Sequence, residues 1–381
     1  MPPADVPPRR ASPPEEDFIL EVEGLHKEFP LPRGLTGTLR RRPRKAVHAV
    51  DGISFDLRRG EILALVGESG CGKTTTALTL MGLITADEGT IRFNGQDVTH
   101  LGERAGDRPR ASIAQVNGRM YRKEPSVFPA ITMKRLRRQM QMVFQDPYES
   151  LNPRATVLES VAEPLEVHAV TRSREEKLAR VRQALEDAGL SPAEAFMSRR
   201  PHELSGGQRQ RVVIAGALVL EPVLLIADEP VSMLDVSIRA EILNLLDELR
   251  ARRGISILYI THDLATAAYF TDRIAVMYLG RIAEIGPTRR VLAHPQHPYT
   301  RALLSVIPVP NPRMRRQRII LGGETPNPVD LPGGCRFHPR CPLAFDDCAR
   351  TDPSLILVRA EHQAACLLAE TSTSRAPSRT L

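Results

Sequence analysis

The chain has 381 residues, 42% of them hydrophobic and 25% charged. That is enough for one large domain with an appendage or for two modest domains, and it excludes a coiled rod or a disordered tail. No apolar run approaches the roughly 18 residues that a spanning helix needs, and the proline-rich start lacks a secretion signal's apolar core, so a cytosolic chain that does not itself cross a membrane is expected. The net charge of +7 admits nucleic acid, anionic lipid or phosphate as partners. With 4% aromatic residues and no tryptophan, the stacking platforms of single-strand binders are missing, and nucleic acid is not expected.

In chain order, residues 1–17 read as a flexible leader, with ordered structure from about Phe18. The basic segment 33–45 reads as a surface loop. Glu61 to Val66 is an apolar strand that runs into a glycine loop, followed by a helix through Thr75, Leu78 and Met81. Residues 103–138 are charged and lack sustained periodicity, which suggests an insertion. Leu178, Val181 and Leu185 recur at helical spacing, as do Ile238, Ile242, Leu245 and Leu249. Val223 to Ala227 and Ile255 to Thr261 are continuous apolar runs, expected of strands whose sheet is covered by helices on both faces. The fold class is α/β. Beyond about Gly286 prolines crowd in and the late cysteines follow, so 287–370 reads as a small appended module and 371–381 as a polar, disordered tail.

Three motifs carry chemistry. Gly67-Glu68-Ser69-Gly70-Cys71-Gly72-Lys73-Thr74, leading to Thr75, fits G-x-x-x-x-G-K-[ST] between a strand and a helix. Its backbone N–H groups would curl around phosphate oxygens, with the helix N-terminus adding to the field. Lys73 would reach the β- and γ-phosphates of a nucleotide triphosphate, and the Thr74 hydroxyl would ligate Mg²⁺. Cys71 has no separate role beyond filling the loop. The strand after Leu224 ends in Asp228 and Glu229; Asp228 would hold Mg²⁺ through water, and Glu229 would take a proton from the attacking water. Ser205-Gly206-Gly207-Gln208, at the start of a helix, forms another anion receptor, although by itself it could be an ordinary cap.

In this order, these motifs resemble the ATP-binding subunit of ABC transporters over roughly residues 18–286. The resemblance implies a P-loop NTPase of the ABC nucleotide-binding type. It implies that Gln145 contacts Mg²⁺ or water and senses a membrane partner, that His262 contacts the γ-phosphate, and that Asp235 is the D-loop aspartate, with Met233 in place of the usual small alanine. Phe29 is either the aromatic that stacks on adenine or an ordinary packing residue. Only one phosphate loop and one signature occur, so the resemblance implies a head-to-tail dimer with ATP between the subunits.

His297-Pro298-Tyr299-Thr300 and the stretch from Gln145 to Arg154 are similar to segments of oligopeptide and dipeptide importer subunits. That subgroup implies import of peptides through two transmembrane permease subunits. It also implies an extracytoplasmic substrate-binding protein, a second ATPase that is a different chain, and a peripheral position on the cytoplasmic face of the membrane. An importer ATPase for nickel or glycosides, or a soluble ABC-type ATPase acting on nucleic acid, is the alternative.

Cys335, Cys341, Cys348 and Cys366 are separated by five, six and seventeen residues. Four thiolates can complete a zinc site or hold an iron–sulfur cluster, and the tight Cys-x₂-Cys knuckles usual for zinc are missing. The resemblance to the importer subgroup implies a [4Fe–4S] cluster, with zinc as the alternative.

Overall fold

The computed structural model describes residues 17–32, 45–101, 114–116, 119–121, 131–307 and 318–369. The expected leader apart from Asp17, the basic segment apart from Lys45, and the expected C-terminal tail lie outside these residues. Of the charged stretch 103–138, the described parts are two short paired strands and a helix, Met133–Gln139. Thr132 starts this helix by accepting a hydrogen bond from the Arg135 N–H at 3.3 Å. A single buried side chain, Leu136, anchors it, too little apolar patterning for the sequence to announce a helix.

The strands are β1 (Phe18–Pro30), β2 (Ala46–Arg58), β3 (Ile62–Val66), β4 (Glu88–Phe93), β5 (Gln96–Asp97), β6 (Ala114–Val116), β7 (Arg119–Tyr121), β8 (Met140–Val143), β9 (Leu224–Asp228), β10 (Ser256–Thr261), β11 (Arg273–Tyr278), β12 (Arg281–Pro287), β13 (Ile356–Arg359) and β14 (His362–Ala364). The main sheet has the order β13-β14-β12-β11-β3-β10-β9-β8, and a smaller antiparallel sheet the order β2-β1-β4-β5. From β11 to β8 the pairing is parallel.

Residue alternation sends β3 into two cores. Ile62, Ala64 and Val66 pack among the helices, while Leu63 and Leu65 face the smaller sheet with Ile19, Leu20 and Phe93. Every residue of β3, β9 and β10 is buried, which is why these strands read as unbroken apolar runs. The helix seen in Leu178, Val181 and Leu185 spans Arg174–Asp187, and the one seen in Ile238 to Leu249 spans Val236–Arg253. Among the described residues no helix is long and apolar enough to cross a membrane.

The composition change near Gly286 is not a change in packing. β14 continues the main sheet beside β12, pairing Glu284 with Ala364 and Ile285 with Gln363. Phe337 is fully buried in the helix-side core, with Cys335 and Cys341 against it. A buried carboxylate ties the seam: Glu284 accepts from the Gln296 and His297 N–H groups at 2.8 and 2.9 Å and stands 2.7 Å from His362 Nε2. Glu284 and His362 are completely buried, and a carboxylate is stable there because its oxygens are met by donors.

Candidate nucleotide-binding site

The phosphate loop turns directly from β3 into the Lys73–Leu80 helix. Gly72 sits at the turn with φ 106°, and a side chain there would overlap the Ala49 carbonyl of β2, so only glycine fits. Lys73 folds back over the loop and donates from Nζ to the Gly67 and Glu68 carbonyls at 2.8 and 2.9 Å.

In front of the loop lies a cavity of about 710 Å³ lined by Ser69, Gly70, Gly72, Lys73, Thr74 and Thr75, with Phe29, Gln145, Glu229 and His262 on its other walls. Gly67 and Cys71 stay behind the loop. Cys71 is buried, its Sγ lies 3.8 Å from Lys73 Nζ, and burial pushes its thiol pKa up; it is a neutral filler. Phe29 is 38% exposed at the cavity edge, and Lys27 Nζ lies 5.5 Å from its ring centroid. An exposed aromatic face on a cavity wall offers a platform for a flat ring.

Both acids sit at the C-terminal end of β9, one of the parallel strands, where open α/β sheets gather ligands. Asp228 closes β9 and is only 3% exposed. Burial raises its carboxyl pKa, while a hydrogen bond with the Thr74 side chain pulls it back. Its Oδ1 is buried without a hydrogen-bond partner among the described residues. An orphaned carboxylate oxygen beside a threonine hydroxyl is a donor set that fits Mg²⁺.

Glu229 follows on the cavity wall. Its Oε1 lies 3.0 Å from His262 Nδ1, and its Oε2 accepts from Gln145 Nε2 at 3.1 Å. These three residues come from beyond β9, β10 and β8, adjacent in the sheet, so strand order alone brings them together.

The signature does not line this cavity. Ser205 caps the Gly206–Leu218 helix: its Oγ accepts from the Gln208 N–H at 3.2 Å, and Gln208 Oε1 accepts from the Ser205 N–H at 3.1 Å. Gly207 is needed for packing, since a Cβ there would come within 2.7 Å of Ile238 Cγ2. Asp235 is the residue before the Val236–Arg253 helix, and its side chain makes no capping bond. Sequence reasoning missed Val47, Ala49, Glu68 and Leu303, which also line the cavity. Leu303 lies on the Pro298–Ser305 helix, far along the chain, and carries no local signal.

The four late cysteines all border one small hollow, together with His297 and Phe337, and all are free thiols. Burial, reinforced by the neighbouring Cys366, Cys348 and Cys341, pushes the Cys335 thiol up to about 11. Among the described residues, however, no three His, Cys, Asp or Glu side chains form a group that could hold a metal ion. The expected cluster or zinc site is therefore not drawn together here: the four thiols surround a common space without converging on a single point.

A strand, a glycine loop and a helix facing a carboxylate across one cavity define a P-loop nucleotide-binding protein. Residues 50–232 match the ABC transporter family, and residues 283–348 match the C-terminal region of oligopeptide/dipeptide transporters. The oligopeptide transport ATP-binding protein AppF of Bacillus subtilis is 42% identical over 93% of this chain and 98% of its own length. A relative from Brucella ovis, bearing the name of a peptide import ATP-binding protein, is 44% identical over 92% of this chain and 98% of its own length. Among solved structures, cbiO1 of Clostridium perfringens, part of an ABC transporter complex, is similar with a TM-score of 0.55 at 30% identity, covering 73% of this chain and 92% of that one. The dimeric ATP-binding cassette MJ0796, bound to ADP and Pi, is similar with a TM-score of 0.55 at 25% identity, covering 71% and 99%. The chain belongs to the ABC transporter family, as one of its ATP-hydrolysing subunits.

Proposed function

We propose that this subunit powers the import of peptides through a pair of membrane permeases, hydrolysing ATP in the cavity before the phosphate loop. The placement of Glu229 between Gln145 and His262, across one cavity from Lys73, carries the catalytic reading. The oligopeptide/dipeptide match over residues 283–348 supports the substrate class.

In this reading the loop N–H groups of Ser69, Gly70 and Gly72 receive phosphate oxygens, and Lys73 exchanges its carbonyl partners for the β- and γ-phosphates. Phe29 stacks on the base. Glu229 accepts the proton of the attacking water; His262 holds that carboxylate in place and donates to the γ-phosphate, while Gln145 fixes the second carboxylate oxygen. Mg²⁺, held by Thr74, Gln145 and Asp228, supplies neutralisation of the phosphate charge.

Ser205, Gly206, Gly207 and Gln208 serve the γ-phosphate of a second ATPase subunit across a head-to-tail pair, with Asp235 at that contact, because they do not line the cavity of their own chain. ATP then joins the two subunits, and its cleavage releases them. The Gln145 segment passes the movement to the permeases, docked from the cytoplasmic face. The second ATPase is a different chain, and an extracytoplasmic binding protein delivers the peptide. Cys335, Cys341, Cys348 and Cys366 would hold a [4Fe–4S] cluster, with zinc as the alternative: all four are free thiols bordering one hollow, and the tight Cys-x₂-Cys knuckles usual for zinc are missing.

The test is ATP hydrolysis by the assembled transporter in vesicles. Peptide-loaded binding protein should stimulate turnover. Stimulation by nickel or glycoside ligands alone would move the subunit to another solute.

A further inference from the structure

The phosphate loop is gripped from outside the nucleotide cavity. Glu68, the second loop residue, donates its backbone N–H to Tyr299 Oη at 3.1 Å. Its carboxylate is met by both arms of Arg340, Nη1 to Oε2 at 2.9 Å and Nη2 to Oε1 at 3.3 Å. The Thr325 hydroxyl donates to the same Oε2 at 2.9 Å and accepts from Arg340 Nη1 at 3.1 Å. Three separate stretches of the C-terminal region thus converge on one loop residue, 231 to 272 positions away.

These anchors are held rigidly. Tyr299 is completely buried, with its ring centroid 4.7 Å from that of Tyr278 and 5.4 Å from that of Phe337. Its helix is fixed at the start by His297, whose Nδ1 accepts from the Tyr299 N–H at 3.1 Å and whose own N–H is held by buried Glu284. The Arg340 side chain is 10% exposed, so its two-pronged pair with Glu68 is shielded from the screening that weakens surface pairs.

The gripped residue is also one on which the catalytic lysine rests, since the Glu68 carbonyl accepts from Lys73 Nζ at 2.9 Å. A tilt of Glu68 would reorient that carbonyl, the next N–H groups of the loop and the lysine together. Near-attack geometry is sensitive to displacements of about 1 Å.

We propose that Tyr299 and Arg340 are positioning residues of the ATP site, acting through Glu68 to keep the phosphate loop in its receiving curve. Neither touches the nucleotide. The C-terminal region is therefore a working part of the ATPase and not only an appendage to it. This rests on the reading of the Gly67–Thr74 loop as the ATP site.

The experiment measures MgATP binding by the full-length chain, and ATP hydrolysis by the assembled transporter, for Tyr299→Phe, Arg340→Gln, Arg340→Lys, Glu68→Gln and the double variant Glu68→Gln/Arg340→Gln, with Lys73→Ala as control. Tyr299→Phe and Arg340→Gln should each weaken ATP binding about 3- to 10-fold, raising KM for ATP while kcat changes less. The double variant should be no weaker than the worse single one, and Arg340→Lys should recover part of the loss. Thermal unfolding is followed in parallel, because Tyr299→Phe keeps the packed ring and should keep the melting temperature. Unchanged affinity in both single variants, additive losses, or an affinity loss that merely tracks a fall in melting temperature overturns the proposal. If Lys73→Ala abolishes binding while Tyr299→Phe and Arg340→Gln leave it intact, the brace alone is rejected. Binding that survives Lys73→Ala rejects the ATP-site reading and the brace with it.

Discussion

Glu229 and His262 meet carboxylate to imidazole, 3.0 Å apart, from beyond the ends of two adjacent strands. In this arrangement Glu229 takes a left-handed backbone, φ 45°, with its N–H donating to the Ile260 carbonyl at 2.9 Å. A non-glycine residue held there stores strain of order 1–3 kcal/mol, the sort that persists at working sites. Glu229→Gln keeps the shape and the Gln145 contact region but cannot take a proton. ATP should still bind, turnover should fall by about 100-fold or more, and a closed ATPase pair should accumulate. Wild-type turnover in the assembled complex would remove Glu229 from its role.

Gly207 offers a test that separates packing from phosphate recognition. A methyl group there meets Ile238 Cγ2 at 2.7 Å, so Gly207→Ala should cost about 1–3 kcal/mol of stability in urea unfolding. Ile238→Ala in the same chain should relieve the clash. If the double variant regains stability but still fails to pair around ATP, Gly207 serves the nucleotide as well as the helix contact. Full recovery of pairing would leave it a packing residue only.

His297 gives a pH signature. Burial, opposed by Glu284 and reinforced by Arg301, lowers its pKa from 6.5 to about 4. As pH falls through 6.5 the unfolded chain gains a proton that the folded chain refuses until near pH 4. Stability is therefore lost across that window, by up to about 3 kcal/mol. Asparagine can replace the cap without titrating, so His297→Asn should flatten the slope of unfolding free energy between pH 6.5 and 4. Parallel slopes for the two proteins would refute the assignment.

The cysteine quartet is tested by composition. Protein purified without oxygen should carry iron and acid-labile sulfide at about four each per chain. One zinc per chain would reject the cluster, and four thiols freely reactive in the purified protein would reject both.

The loop, the signature and the paired acids were legible because each is a short contiguous string whose chemistry depends on neighbours in sequence. The strands were legible to within a residue: Val223 to Ala227 is found as Leu224–Asp228, and Ile255 to Thr261 as Ser256–Thr261. What stayed hidden depends on distant partners. Tyr299 read as packing or capping because nothing near it points to Glu68, and Leu303 looks like any helical leucine. The His362–Glu284 pair joins residues 78 apart, in a region whose prolines suggested a separate body. Local periodicity reports which face of an element is covered, not what covers it.

β14 has a further consequence. Its backbone occupies the flank of β12, with the Ala365 N–H donating to the Ala283 carbonyl at 2.8 Å. A truncated chain ending near Gly286 would bare a row of unsatisfied amides beside Ile282 and Ile285, both otherwise hidden. Such a rim invites strands from other molecules, so the shortened protein would clump before it could be assayed, and β14 acts as the hem that keeps the fabric from fraying.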